Sequence, residues 1–251
     1  MAVFRFLLEY DGTEFAGWQR QRDGERTVQG VLEEALARVV GAPVAVIGAG
    51  RTDAGVHAEG QVASAELETA LAAETLVRAL NAHLPRDVAV LEVAPAAPGF
   101  HARYDARAKV YRYSIWNGRQ PSPLRRRRFL AVRAPLDVEA MREAARHLVG
   151  CHDFACFETR PEPAALRPGR STVRRLDRVE LGGASGGEIQ LELEGSGFLR
   201  HMVRAIAGTL LEVGRARRAP DSLPGLLAGR DRRQAGPTAP ARGLTLVRLR
   251  Y

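Results

Sequence analysis

The chain has 251 residues, 45% of them hydrophobic, enough for one large core or two small ones. Its net charge of +8 favours a polyanionic partner, and all but one of its 37 basic residues are arginine, Lys109 being the exception. Two cysteines, Cys151 and Cys156, exclude a disulfide-stapled scaffold. No stretch approaches the ~20 apolar residues that cross a bilayer, so a soluble cytoplasmic protein is expected.

The first strand is expected at residues 3–10. A helix follows at 27–40, where Val28, Val31, Leu32, Ala35, Leu36, Val39 and Val40 recur at helical spacing, with Thr27 as N-cap and Gly41 past the end. Between them, Tyr10-Asp11-Gly12-Thr13 and the segment from Phe15 to Gln19 read as a hairpin turn with hydrophobic anchors. Residues 44–47 and 61–67 read as strands around a glycine-rich loop, 75–83 as a helix and 88–93 as a closing strand. This order is that of a β-α-β-β-α-β unit. Pro95, Pro98 and Gly99 mark a break, and two domains, 1–105 and 106–251, are expected.

The second round begins with a strand at 109–116. A helix at 137–148, strands at 172–181 and 188–194 and a helix at 199–213 follow. A short helix at 222–228 and a last strand at 244–251 complete it. The fold class is therefore α+β. Two loops interrupt the second round: the run Arg125, Arg126, Arg127, Arg128, and the arginine-, proline- and glycine-rich residues 159–169. A four-arginine run is either a solvated patch or a phosphate contact, and the basic balance of the chain favours phosphate.

The most chemically loaded segment is Gly50-Arg51-Thr52-Asp53-Ala54-Gly55-Val56-His57. It sets one carboxylate between two glycines, beside an arginine, at a strand end, where a rigid scaffold commonly presents reactive groups. Asp53 is a candidate nucleophile or general base and Arg51 a candidate phosphate or base contact. The same residues would also make an ordinary capped surface turn. Arg204 stands within an apolar helical run, four residues after Arg200, and either faces solvent or meets an anion. Tyr111 and Tyr113 share one face of a strand, as core residues or as a platform for an unpaired base. Cys151, His152, Asp153 and Cys156 match no familiar zinc spacing. Gly48-Ala49-Gly50 lacks the further residues of a dinucleotide or phosphate loop.

Taken along the whole chain, these residues resemble the TruA family of tRNA pseudouridine synthases. The resemblance rests on Tyr10 to Thr13 with Gly17-Trp18-Gln19, Thr27-Val28-Gln29, the block from Gly50 to Ala58 and Gly60-Gln61-Val62. It continues through Phe100 to Arg103, Tyr111-Arg112-Tyr113, His152-Asp153-Phe154, Gly197-Phe198-Leu199, Met202-Val203-Arg204, Gly208 to Gly214 and Ala235 to Ala241. Arg200-His201 and Ala155-Cys156 depart from the usual pattern without touching a catalytic position.

The resemblance implies two ferredoxin-like or RRM-like domains with mainly antiparallel sheets and the catalytic cleft between them. It implies Asp53 as the catalytic aspartate, Arg51 as the residue that opens the RNA and places the flipped base, Tyr111 as the ring on the target uracil, and Arg204 as the basic partner of the aspartate. The implied reaction is uridine-to-pseudouridine isomerisation at positions 38 to 40 of the tRNA anticodon stem-loop. A homodimer is implied, with tRNA as partner, no metal or organic cofactor and no other protein. Two other readings remain at this level: a non-catalytic RNA-binding module, which leaves Arg51-Thr52-Asp53 unexplained, and a hydrolase, for which no second acid is found.

Overall fold

The computed structural model describes residues 1–21, 24–159, 171–183 and 185–251. The expected loop at 159–169 therefore falls almost wholly outside the described residues. The chain divides into two compact units, Met1–Arg107 with Thr245–Tyr251, and Ala108–Leu244.

The first unit opens with β1, Ala2–Tyr10, in which Phe4, Phe6, Leu8 and Tyr10 are buried on one face. Helix α1, Val28–Val40, buries Val28, Leu32, Ala35 and Leu36. The Thr27 side chain accepts the Gly30 N–H at its start, and Gly41 takes the left-handed conformation (φ 77°) at its end. Strand β2 is only Ile47–Gly48, β3 runs His57–Leu67, α2 Ala73–His83 and β4 Val88–Pro95. The expected strand at 44–47 is thus displaced and shortened. Val46 is held by side chains instead: its N–H donates to Glu33 and its carbonyl accepts from Gln29, both on α1.

β1 pairs antiparallel with β3 and with β4, and β2 pairs antiparallel with β3. This gives the order β4-β1-β3, with β2 beside β3. The element order is the β-α-β-β-α-β expected from sequence.

The second unit contains β5, Ala108–Trp116, β6, Leu130–Ala131, and α3, Val138–Arg146, capped by Asp137. β7, Gly150–Asp153, β8, Val173–Gly182, and β9, Glu188–Gly195, follow. Helices α4, Met202–Gly214, and α5, Ser222–Gly229, complete it. β5, β9, β8 and β7 lie side by side as antiparallel neighbours, and β6 pairs in parallel with β5. β7 and β6 were not anticipated. β7 is four residues of mixed polarity, too short to carry an alternation.

The last strand, β10, Leu244–Arg250, differs from expectation in its partner. Its place in the sequence puts it with the second half, yet Thr245 and Leu246 pair in parallel with His57 and Ala58 of β3 in the first unit. The architecture is α+β with mostly antiparallel pairing.

Candidate active site

The loop between β2 and β3 is held from beneath by a buried polar network. Ala49 N–H donates to Val62 O at 2.8 Å, which holds the start of the loop against β3. Gln61, fully buried on β3, brackets Gly50: its Oε1 accepts Gly50 N–H at 3.2 Å and its Nε2 donates to Gly50 O at 2.6 Å. The second Nε2 proton reaches the Tyr10 hydroxyl at 3.3 Å. That leaves the tyrosine proton for Thr52 Oγ1, 2.8 Å away. Thr52 O in turn accepts the Trp18 N–H at 3.0 Å. Burial pushes the Tyr10 hydroxyl up to about 12, with the bonds to Thr52 and Gln61 working the other way, so it stays protonated across the ordinary pH range.

The consequence is a division within four residues. Gly50 and Thr52 are pinned inward, Arg51 between them is exposed, and Asp53 is half-buried. Asp53 O accepts Val56 N–H at 3.1 Å, closing the turn, and Gly55 adopts φ 76° within it.

The segment expected as a hairpin turn is the floor of this loop. It forms one short 3₁₀ turn, Gly12–Glu14, capped by Asp11, and then a bent stretch whose Phe15 and Trp18 are buried. Gly17 (φ 103°) lies so close to the loop that a Cβ there would sit 2.7 Å from Thr52 O. A Cβ on Gly12 would lie 2.0 Å from Val56 O. His57, fully buried, accepts Gly12 N–H on Nδ1 at 3.2 Å. Asp11 Oδ1 lies 3.2 Å from the same ring nitrogen.

A carboxylate on such a loop is aimed before any substrate arrives, which is what nucleophilic or general-base chemistry needs. Tyr10, Thr52, Gln61 and Trp18 were not singled out for this role from the sequence. Polar residues inside a strand read as solvent-facing, and the available signal was their place in the blocks of the resemblance: Tyr10 to Thr13, Gly17-Trp18-Gln19, Gly50 to Ala58 and Gly60-Gln61-Val62.

The other candidates lie in the second unit. Tyr111 and Tyr113 oppose Leu193 and Leu191 on β9 and are buried on one face. Tyr113 donates its hydroxyl proton to Pro240 O at 2.8 Å. Burial raises its pKa, against the pull of Arg204 and Arg242 nearby. Tyr111 meets Phe198 edge-on, with centroids 5.0 Å apart.

α4 begins at Met202, after His201 in a left-handed conformation (φ 61°), so Arg200 precedes the helix and does not share its face with Arg204. Arg204 is held twice by one residue: its Nε donates to Ala239 O at 2.8 Å, and Ala239 N–H donates to Arg204 O at 3.0 Å. Close packing enforces this, since a Cβ on Gly208 would lie 1.7 Å from Pro237 O. Arg232 braces the same segment through Gly236 O and Thr238 Oγ1, both at 2.9 Å.

The arginine run is not uniform. Arg125 donates to Glu188 at 2.6 Å and to Ser122 at 3.1 Å and lies 4.5 Å over the Trp116 ring, whereas Arg126, Arg127 and Arg128 are exposed. In the cysteine cluster, Asp153 accepts from Thr172 at 2.6 Å and from Ala155 N–H at 3.1 Å and pairs with Arg230 at 3.1 Å. Cys156 is buried, its thiol pushed up to about 12 by desolvation. Among the described residues no group of three or more His, Cys, Asp or Glu is arranged to hold a metal, and no helix is long and apolar enough to cross a membrane.

Fold and loop together mount a half-buried carboxylate on a mostly antiparallel α+β scaffold. Comparison with known proteins makes the class specific. Residues 7–105 and 144–251 match the family described as tRNA pseudouridine synthase. A tRNA pseudouridine synthase A of Thermus thermophilus is 49% identical over 248 residues, covering 98% of this chain and 95% of the relative. Those of Moorella thermoacetica and Myxococcus xanthus are each 46% identical over the whole of this chain, covering 100% and 92% of their own lengths. The chain belongs to the tRNA pseudouridine synthase family.

Proposed function

We propose that this protein isomerises uridine to pseudouridine in tRNA, at positions 38 to 40 of the anticodon stem-loop. The observation that carries the reading is the Asp53 loop itself, pinned by Gln61, Tyr10 and Trp18 with its arginine outward, in a chain of this family.

The reaction balances without a co-substrate. The N1–C1′ bond is exchanged for a C5–C1′ bond, C5 loses its proton, and N1 ends as N–H. The nucleotide must first leave its stack, at a cost of a few kcal/mol. The Asp53 carboxylate then acts by attack at C1′, addition at uracil C6 or removal of the 2′ proton, all within the reach of a positioned nucleophile or base. Arg51, exposed beside it, holds the opened RNA, Tyr111 stacks on the uracil, and Arg204 keeps the aspartate ionised. Arg125 to Arg128 are the proposed backbone contacts. The reading also includes two domains, a homodimer and a cytoplasmic location, where unmodified tRNA is met.

The test is tritium release from tRNA labelled at uracil C5. Purified protein without additives should release label, with pseudouridine mapped to positions 38 to 40. Tight tRNA binding without release would establish the binding-module reading instead.

A further inference from the structure

Tyr104 is the one exposed Phe, Tyr or Trp side chain among the described residues, at 76% exposure. A single exposed aromatic is ordinary in itself. What sets this one apart is how it is mounted. The His101 imidazole lies against it with centroids 4.2 Å apart and planes 27° from parallel, so one face of the ring is covered. The imidazole is itself fixed, because Nδ1 accepts the backbone N–H of both Arg103 and Tyr104 at 3.2 Å. His101 N–H donates to Asp105 at 2.8 Å, and Asp105 N–H returns to His101 O at 3.1 Å.

The loop is also rooted in the first unit. Ala102 is fully buried, its N–H donates to Ser64 at 3.2 Å, and its carbonyl accepts the Tyr251 hydroxyl at 2.7 Å. The Arg103 guanidinium stands 5.7 Å from the Tyr104 centroid, and both Arg103 and Arg107 are exposed.

We propose that Tyr104, backed by His101 and flanked by Arg103, is a stacking platform for an unpaired or helix-terminal base of the RNA substrate. This rests on the reading of the protein as a tRNA-modifying enzyme. A ring whose rotamer is already fixed loses little entropy on binding, and every base presents a π-face whatever its sequence. The cations beside the ring suit a nucleotide, which brings its phosphate with its base, better than a purely apolar partner.

The experiment measures affinity for an unmodified tRNA transcript, and turnover at saturating tRNA, for wild type, Tyr104→Ala, Tyr104→Phe and Arg103→Gln. Loss of one base stack by alanine substitution should weaken binding about 5- to 150-fold, while phenylalanine should stay within about twofold. Tyr104→Ala should leave the slope of log affinity against log salt unchanged, and Arg103→Gln should lower it by up to about one. Turnover at saturation and the melting temperature of Tyr104→Ala should match wild type, since the side chain supports neither chemistry nor core. Alanine binding within twofold of wild type overturns the platform, as does equal weakening by phenylalanine, which would indicate a hydroxyl contact. A fall in oligomeric mass on alanine substitution also overturns it, since the ring would then be covered by a second copy. Wild-type protein that neither binds nor converts tRNA refutes the proposed function itself, a different outcome from any of these.

Discussion

Gln61→Glu isolates the contribution of the buried network from that of the reacting groups. The exchange is nearly isosteric and keeps the acceptor for Gly50 N–H. It replaces the amide that donates to Gly50 O at 2.6 Å and to Tyr10 at 3.3 Å with an oxygen. An ionised carboxylate would face the Gly50 carbonyl without a proton between them, in a site with no solvent exposure. The neutral acid restores one donor, so the folded protein holds the introduced proton more tightly than the unfolded chain.

The folded pKa is therefore raised above the ordinary glutamate value of about 4.3. Such a group contributes its full stability below the unfolded pKa and loses it as pH rises through the folded one. A rise of about three units, within the range for buried carboxyls, corresponds to about 4 kcal/mol lost between roughly pH 4.5 and pH 8. For a chain of this length that is roughly 8–16 °C in Tm. Thermal unfolding by circular dichroism from pH 5 to pH 8, run beside wild type, gives the comparison. The variant should approach wild type at pH 5 and fall away with rising pH, and its turnover relative to wild type should follow. Parallel profiles for the two proteins would refute the assignment of Gln61 as a buried donor to the loop.

Asp53→Asn should bind tRNA nearly as wild type and retain less than about a hundredth of its turnover in single-turnover assays, because the amide is a far poorer nucleophile or base; recovery above that level, deamidation excluded, removes Asp53 from the chemistry. Tyr10→Phe should blunt the loss of stability above pH 10 measured by denaturant titration, since a hydroxyl raised to about 12 stabilises the fold below 10 and ceases to do so as pH passes through the folded value. Replacing Arg126, Arg127 and Arg128 by Gln while keeping Arg125, which is engaged with Glu188, should lower the salt slope of tRNA binding by roughly 0.7 to 0.9 for each arginine that contacts phosphate. An unchanged slope would make the run a solvated turn. Gly208→Ala should destabilise by about 1–3 kcal/mol or more and reduce turnover, because the new methyl displaces Pro237 and with it the hold of Ala239 on Arg204. Wild-type Tm in that variant would refute the packing argument.

The elements legible in the sequence were those with strong local signals. Thr27 and Gly41 bracket α1 because a hydroxyl acceptor and a left-handed glycine are local solutions to the ends of a helix. The alternation of Phe4, Phe6 and Leu8 fixes β1 in the same way. The errors fall where distant contacts decide. Leu199 extends the apolar run of α4, yet His201 turns left-handed and delays the helix to Met202. Residues 44–47 look like a strand, but side chains of α1 take up both polar groups of Val46. The candidate loop is readable from its glycines and Asp53. Its supports are not, because Tyr10, Thr52 and Gln61 meet only once β1 and β3 are paired.

The return of β10 to β3 has a consequence for how the molecule is made. A ribosome releases β1 through β4 early, but the strand that flanks His57 and Ala58 emerges only after the whole second unit has been synthesised. Until then the nascent first unit carries an unpaired edge beside the chain leaving the Asp53 loop, the kind of edge that is open to mispairing. The strand pairing of the first unit is thus completed only after the second unit has been made.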